Sequence, residues 1–201
     1  MKLTPLGDRV VVKADAAETQ TAGGLFIPSV AASKSMTGTV VGVGPEAEEF
    51  SEGDKVLFIK DGGEVLSLGN DEQFTVLHIA EIIGIERKDG LEAVRDNIIC
   101  IGAEFGDQKT RAGIILKSNI HESQGITARW MQVYKVGPEV DFISVDEWVL
   151  VQYGRWTEGF MVDGIDKSYR VDPKGCLAAA PEKPDTVYYN SDVVMTEKKI
   201  L

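Results

Sequence analysis

Gly38-Thr39-Val40-Val41-Gly42-Val43, stopped by Gly44-Pro45-Glu46, sets the reading of this chain. It is a short run rich in β-branched residues that ends on a glycine and a proline, the signature of a strand running into a turn. Similar runs lie on either side: Arg9 to Lys13, Lys55 to Ile59, Phe74 to His78 and Ile82 to Ile85, with Gly, Pro, Asp and Asn between them. Strands this short and this regularly punctuated predict an all-β fold, a small barrel or sandwich. No segment sustains an amphipathic helical period, although Arg87 to Arg95 has room for a short helical link.

The pattern then repeats. Val43-Gly44-Pro45-Glu46 returns as Val136-Gly137-Pro138-Glu139, 93 residues on, and Asp54 returns as Asp146, 92 residues on. Ser144 to Leu150 echoes Ser51 to Leu57, Asn97 to Ile101 matches Arg9 to Lys13, and Arg111-Ala112-Gly113 matches Thr21-Ala22-Gly23. A nearly constant offset marks internal duplication, and each copy is too long for a solenoid repeat. The expected organisation is two small β domains in tandem, residues 1–86 and 94–180, with a link at 87–93 and a tail at 181–201. The two outer strands of the first domain, Lys2 to Leu6 and Ile82 to Ile85, are expected to leave unpaired edges that a neighbouring copy would fill.

One stretch in each copy is unlike the strands. Ala14 to Ser35 is dominated by Ala, Thr, Ser and Gly, and in its middle Gly23-Gly24 precedes the apolar triplet Leu25-Phe26-Ile27. Glu104 to Gly125 carries Gly113 followed by Ile114-Ile115-Leu116. From the pattern alone each triplet reads as an ordinary edge strand. The alternative is a long mobile loop with a sticky tip, since a loop of this length in a compact small domain is usually functional or disordered.

Charge and composition narrow the function. The chain has 201 residues, 21 Lys and Arg against 32 Asp and Glu, and a net charge of −11. Up to residue 90 there are 8 basic and 15 acidic residues, and 13 and 17 after it, so neither half is basic. This argues against nucleic acid as the main partner. No apolar run approaches the roughly 20 residues of a spanning helix, and the start lacks an apolar signal core. No membrane partner is expected, and a cytoplasmic setting is.

Chemistry-bearing residues are sparse. Cys100 and Cys176 give neither a disulfide framework nor metal spacing and read as buried, reduced thiols. His78 and His121 stand far apart and begin no ligand cluster. Gly42-Val43-Gly44 and Gly102-Ala103-Glu104-Phe105-Gly106 lack the helix that a phosphate loop needs. No nucleophile elbow and no Cys/His dyad is present. The expectation is a protein that is not an enzyme, with no catalytic residue, no metal and no cofactor.

Pro5-Leu6-Gly7-Asp8-Arg9-Val10-Val11-Val12-Lys13, Thr21-Ala22-Gly23-Gly24-Leu25-Phe26-Ile27, Lys34 to Gly44 and Gly53-Asp54-Lys55-Val56-Leu57-Phe58 together resemble the GroES-type co-chaperonins. The resemblance covers residues 1 to about 85. Ala128-Arg129-Trp130, Val136 to Glu139 and Gly154-Arg155-Trp156-Thr157-Glu158-Gly159 are similar to phage-encoded co-chaperonins. The whole looks like a tandem co-chaperonin: two GroES-like small β-barrels, each with a long mobile loop. The resemblance implies a homo-oligomeric ring that caps a GroEL-type chaperonin, which itself binds the ATP. It makes Gly23, Gly24, Leu25, Phe26 and Ile27 the docking residues of the first loop, and Gly113, Ile114, Ile115 and Leu116 those of the second. It also implies a truncated roof hairpin, since only Pro45 to Glu52 fills that gap, and a host cytoplasm if the chain is phage-encoded. The rival readings are a phage structural or adaptor protein built from duplicated barrels and a medium-chain dehydrogenase, whose zinc ligands and glycine fingerprint are missing.

The loop design makes physical sense. Ordering a flexible residue costs about 1–2 kcal/mol, and burying a large apolar side chain returns about 1.5–3 kcal/mol. One triplet therefore binds weakly, and a ring of loops binds well, since avidity multiplies affinity by about 10²–10⁴.

Overall fold

The computed structural model describes residues 3–15, 36–68, 72–102 and 128–184, and the backbone of short strands at 108–110, 115–116, 189–190 and 193–195. The chain is all-β and divides into two compact units, Met1–Arg95 and Asp96–Leu201.

In the first unit the strands are β1 (Arg9–Ala14), β2 (Thr37–Val43), β3 (Lys55–Phe58), β4 (Glu64–Leu68), β5 (Glu72–His78), β6 (Ile82–Arg87) and β7 (Gly90–Ala93). They form one antiparallel sheet in the order β4-β5-β1-β2-β3-β6-β7. Alternation explains the pairing. In β2, residues 38, 40 and 42 face inward and the residues between them are half-exposed. The core collects Val10, Val12, Val40, Phe50, Val56, Phe58, Leu77, Ile79, Ile82, Ile85 and Val94. Burying each of these large apolar side chains stabilises the fold by about 1.5–3 kcal/mol.

The second unit has β8 (Ile98–Ile101), β9 (Gln108–Thr110), β10 (Ile115–Leu116), β11 (Arg129–Val136), β12 (Trp148–Val151), β13 (Phe160–Val162), β14 (Ile165–Val171), β15 (Cys176–Ala180), β16 (Tyr189–Asn190) and β17 (Val193–Met195). Six of them form a sheet in the order β13-β14-β8-β11-β12-β15, and four form a second sheet, β10-β9-β17-β16. The core of the unit gathers Ile98, Cys100, Met131, Val133, Val149, Val151, Tyr169 and Val171.

The two units share their wiring. In each, counting only the strands of the main sheet in chain order, a long segment separates the first strand from the second, a bulge interrupts that first pairing (at Val11/Val12 and at Val133/Lys135), and a 3-10 turn precedes the sixth strand (Ile79–Glu81 and Pro173–Gly175). The hydrogen bonds match as well. The Gly44 N–H donates to the Arg9 carbonyl at 2.9 Å and the Gly137 N–H to the Asn97 carbonyl at 2.8 Å. Val40 accepts from Gly53 and donates to Asp54; Val133 accepts from Asp146 and donates to Glu147. Ser51 N–H donates to Asp54 Oδ2 at 2.8 Å, and Ser144 N–H to Glu147 Oε2 at 2.7 Å. The structural partner of Asp54 is therefore Glu147, not the Asp146 matched to it by residue type. Asp146 replaces Gly53, and both take the left-handed backbone, at φ 72° and 95°. Asp is among the few non-glycine residues that tolerate it.

Three expectations are corrected. Residues 87–93 are not a link with a helical run. Lys88-Asp89 is a tight turn that closes at Gly90, and β7 folds back on β6 with Arg87 opposite Gly90. Arg87 fixes the hairpin by contacts to Asp54 at 2.8 Å and Glu92 at 3.2 Å. Ile82 to Ile85 is consequently no free edge, because β6 is paired on both sides. Leu3–Leu6 forms no strand; it runs past β2 with Pro5 buried, and a Cβ on Gly42 would meet Pro5 Cδ at 3.1 Å. The exposed strand β4 was not expected at all.

Candidate functional site

Gly23, Gly24, Leu25, Phe26 and Ile27 lie outside the described residues, as do Gly113, Ile114 and His121. The structure describes the mount of the first segment. It leaves the sheet at the end of β1 and returns at the start of β2, where Ala14 pairs with Gly38. Beyond that last rung the Asp15 N–H donates to the Thr37 carbonyl at 2.9 Å, and the Thr37 hydroxyl donates to Asp15 Oδ2 at 2.6 Å. On the other side the Phe58 N–H donates to the Met36 carbonyl at 2.8 Å. Both ends of residues 16–35 are therefore held at one point of a rigid sheet.

Gly38 makes that neck as narrow as it is. A Cβ there would stand 2.5 Å from Val12 Cγ1, 2.7 Å from the Lys13 carbonyl oxygen and 2.9 Å from Ala14 Cα. Two of those three atoms are backbone, so only glycine fits between the strands. In the second unit the same rung position is taken by Met131, which is fully buried, and Val12 is matched by the smaller Cys100. The small residue and the large one have changed sides. Sequence reading took Gly38 only as part of a strand and did not single out Asp15 or Thr37; the available signal was a glycine inside a β-branched run at the foot of the segment.

The second segment is mounted differently. Its first rung is Ile101 opposite Gln132. Ile115 and Leu116 form the edge strand β10, opposite Lys109 and Gln108 of β9. The second triplet thus places its last two residues in an edge strand.

The residues with chemical potential have structural accounts. Nδ1 of His78 accepts from the Ala80 N–H at 3.0 Å, which leaves the proton on Nε2, and Nε2 lies 2.7 Å from Asp8 Oδ2. Glu81 closes the same corner by accepting from His78 N–H at 2.7 Å and Gly63 N–H at 2.8 Å. The histidine is a capping residue that ties β5 to the entry of β1. Burial pushes the Cys100 thiol far up, and burial with the nearby Asp172 charge pushes Cys176 up to about 11. Both sulfurs stay protonated near neutrality, where only the thiolate reacts. Gly44 is a packing glycine: a Cβ would lie 2.3 Å from the Gly7 carbonyl oxygen. Among the described residues no group of three or more His, Cys, Asp or Glu could hold a metal, and no helix is long and apolar enough to cross a membrane.

Comparison with known proteins places this frame. Residues 2–86 match the family described as the Chaperonin 10 Kd subunit. Co-chaperonin GroES of Thermodesulfovibrio yellowstonii is 43% identical over 89 residues, which is 44% of this chain and 100% of that protein. Co-chaperonin GroES of Campylobacter curvus is 41% identical over 85 residues, 42% of this chain and 98% of the relative. That of Campylobacter hominis is 40% identical over 86 residues, 42% and 98% respectively. The matched stretch is the first unit, and it includes the segment mounted between β1 and β2.

Proposed function

The chain belongs to the GroES co-chaperonin (chaperonin 10 kD) family, and from that premise we propose that it caps a GroEL-type chaperonin and assists ATP-dependent protein folding. The single observation that carries the reading is a first unit alike over the whole length of a GroES, with residues 16–35 strung from one narrow neck. The described residues on either side, Asp15 and Thr37, are bonded to each other where the segment leaves and rejoins the sheet. Leu25, Phe26 and Ile27 are then the docking triplet, with Gly23 and Gly24 giving the backbone freedom to seat it. Ordering on binding makes each contact weak, and repetition around a homo-oligomeric ring makes the cap stable yet releasable.

In this reading the second unit is a diverged copy of the same barrel, supported by its matching strand order and by turns offset by 93 residues. Gly113, Ile114, Ile115 and Leu116 are its equivalent of the docking tip. The protein is not an enzyme and holds no cofactor; the nucleotide belongs to the partner. Its place is the cytoplasm, the host's if the phage-like features of the second unit reflect its source. Since β7 covers the outer edge of β6, ring closure uses other surfaces than that edge or displaces β7.

The reading is tested by refolding of an aggregation-prone substrate with a GroEL-type chaperonin and ATP. Yield rises when this chain is supplied. A yield equal to that of chaperonin and ATP alone contradicts it.

A further inference from the structure

We propose that the C-terminal tail is the intramolecular occupant of the second loop, so that the two loops of one chain are not interchangeable. The observation is the second sheet of the second unit. Tail strand β17 pairs antiparallel with β9, Val193 opposite Thr110, Val194 opposite Lys109 and Met195 opposite Gln108. On its other side β9 pairs with β10, which contains Ile115 and Leu116. Within the tail β16 pairs antiparallel with β17, Tyr189 opposite Val194 and Asn190 opposite Val193. The order β10-β9-β17-β16 therefore joins a strand pair of the loop to a strand pair of the tail along one central seam.

The physics of short strands makes that seam decisive. A two-stranded hairpin is at best marginal in water, and three or more strands are needed for independent stability. The loop and the tail each supply two strands, of two or three residues apiece. Neither pair stands alone; together they reach four strands. The tail sequence suits the task, since Val187-Tyr188-Tyr189 and Val193-Val194 flank Asn190-Ser191-Asp192, β-formers around turn-formers. The segment that holds Ile115 and Leu116 in an edge strand is thus the tail, and a loop held so is not free to reorder onto a partner. Partner and tail compete for it, and each weakens the other by the same factor. That the loop docks at all rests on the co-chaperonin reading; that the tail holds it does not.

Hydrogen exchange separates the two. Three chains are compared: the full length, a chain ending at Pro184, and full-length Val194→Pro. Proline removes a donor from a strand flanked on both sides and is excluded from such positions. Exchange at 108–110 and 115–116 accelerates about tenfold or more in both variants, while 98–101 and 129–136 keep their protection. Unchanged exchange at 108–116 in both variants overturns the proposal. The functional arm adds Phe26→Ser to the full-length and shortened chains and measures binding to a GroEL-type chaperonin with ADP. The shortened chain binds about tenfold more tightly than its full-length counterpart, a gain of ~1.4 kcal/mol. Faster exchange without that gain overturns the competition while leaving the pinning in place. Failure of the unsubstituted full-length chain to bind at all refutes the co-chaperonin reading instead, and the exchange result still decides whether the tail pins the loop.

Discussion

Gly38→Ala is the substitution with the most to say about how the first loop is mounted. The added methyl would lie 2.5 Å from Val12 Cγ1, 2.7 Å from the Lys13 carbonyl oxygen and 2.9 Å from Ala14 Cα. A side-chain methyl can rotate away, but the other two atoms belong to β1, so β1 and β2 must part at their last rung. Overpacking of this kind costs about 1–3 kcal/mol, and the two backbone clashes place it at about 2 kcal/mol or above. The first unit spans Met1–Arg95; at about 4–8 °C per kcal/mol for a domain of that size, its unfolding midpoint falls by roughly 8–16 °C. The assay is built into the sequence. Trp130, Trp148 and Trp156 all lie in the second unit and the first has none. Tryptophan fluorescence therefore follows the second unit, while calorimetry records both. The calorimetric transition of the first unit moves down and the fluorescence transition stays. A first unit destabilised by less than about 0.5 kcal/mol would refute the tight-neck argument, and equal movement of both transitions would refute the placing of the strain in the first unit.

Residues 16–35 should be the earliest protease target in the free chain and be protected in the chaperonin complex; equal cleavage in both states counts against docking. Cys176 should label slowly with a thiol reagent at about pH 8 and faster as pH approaches about 11, while Cys100, fully buried and pushed further up, should stay slow across that range. Because the folded thiol of Cys176 titrates near 11, above its ordinary 9.0, its contribution to stability is complete below about pH 9 and is lost between about 9 and 11. Rapid labelling of both at about pH 8 in the folded protein would sink that account. Sedimentation or native mass measurement should show a closed oligomer, and a strict monomer at micromolar concentration would remove the ring.

Runs of β-branched residues bounded by Gly, Pro, Asp and Asn made much of the fold legible. Arg9 to Lys13, Gly38 to Val43 and Phe74 to His78 each lie within an observed strand; β2 alternates between buried and half-exposed residues, while β1 buries Val10, Val11 and Val12 in succession. Glu64–Leu68 escaped notice because four of its five residues are exposed; a strand held by pairing alone leaves no burial pattern. Residues 87–93 misled for a related reason. Their fold depends on the Lys88-Asp89 turn and on Arg87 reaching Asp54, a contact spanning 33 positions. The duplication was readable in Val-Gly-Pro-Glu and in the echo of Ser51–Leu57 by Ser144–Leu150, whose offset of 93 already sets Glu147 opposite Asp54; matching Asp54 to Asp146 by residue type broke that register. Residue type paired like residues, whereas the backbone pairs like conformations. For the site, composition pointed to the two triplets, and nothing in either loop disclosed that the tail supplies a strand to one of them. That pairing is a long-range fact of β topology.

The claim that this chain is a chaperonin cap rests on Phe26 and its neighbours acting as a docking tip. Its most direct test is native mass measurement of the full-length chain and of Phe26→Ser with a GroEL-type chaperonin, with and without ADP, alongside thermal unfolding of each. The account predicts a nucleotide-dependent complex for the full-length chain. For Phe26→Ser it predicts loss of about 1.5–3 kcal/mol per docked loop with an unfolding midpoint that does not move. A Phe26→Ser protein that unfolds early yet keeps the complex would make the triplet a buried strand and contradict the account.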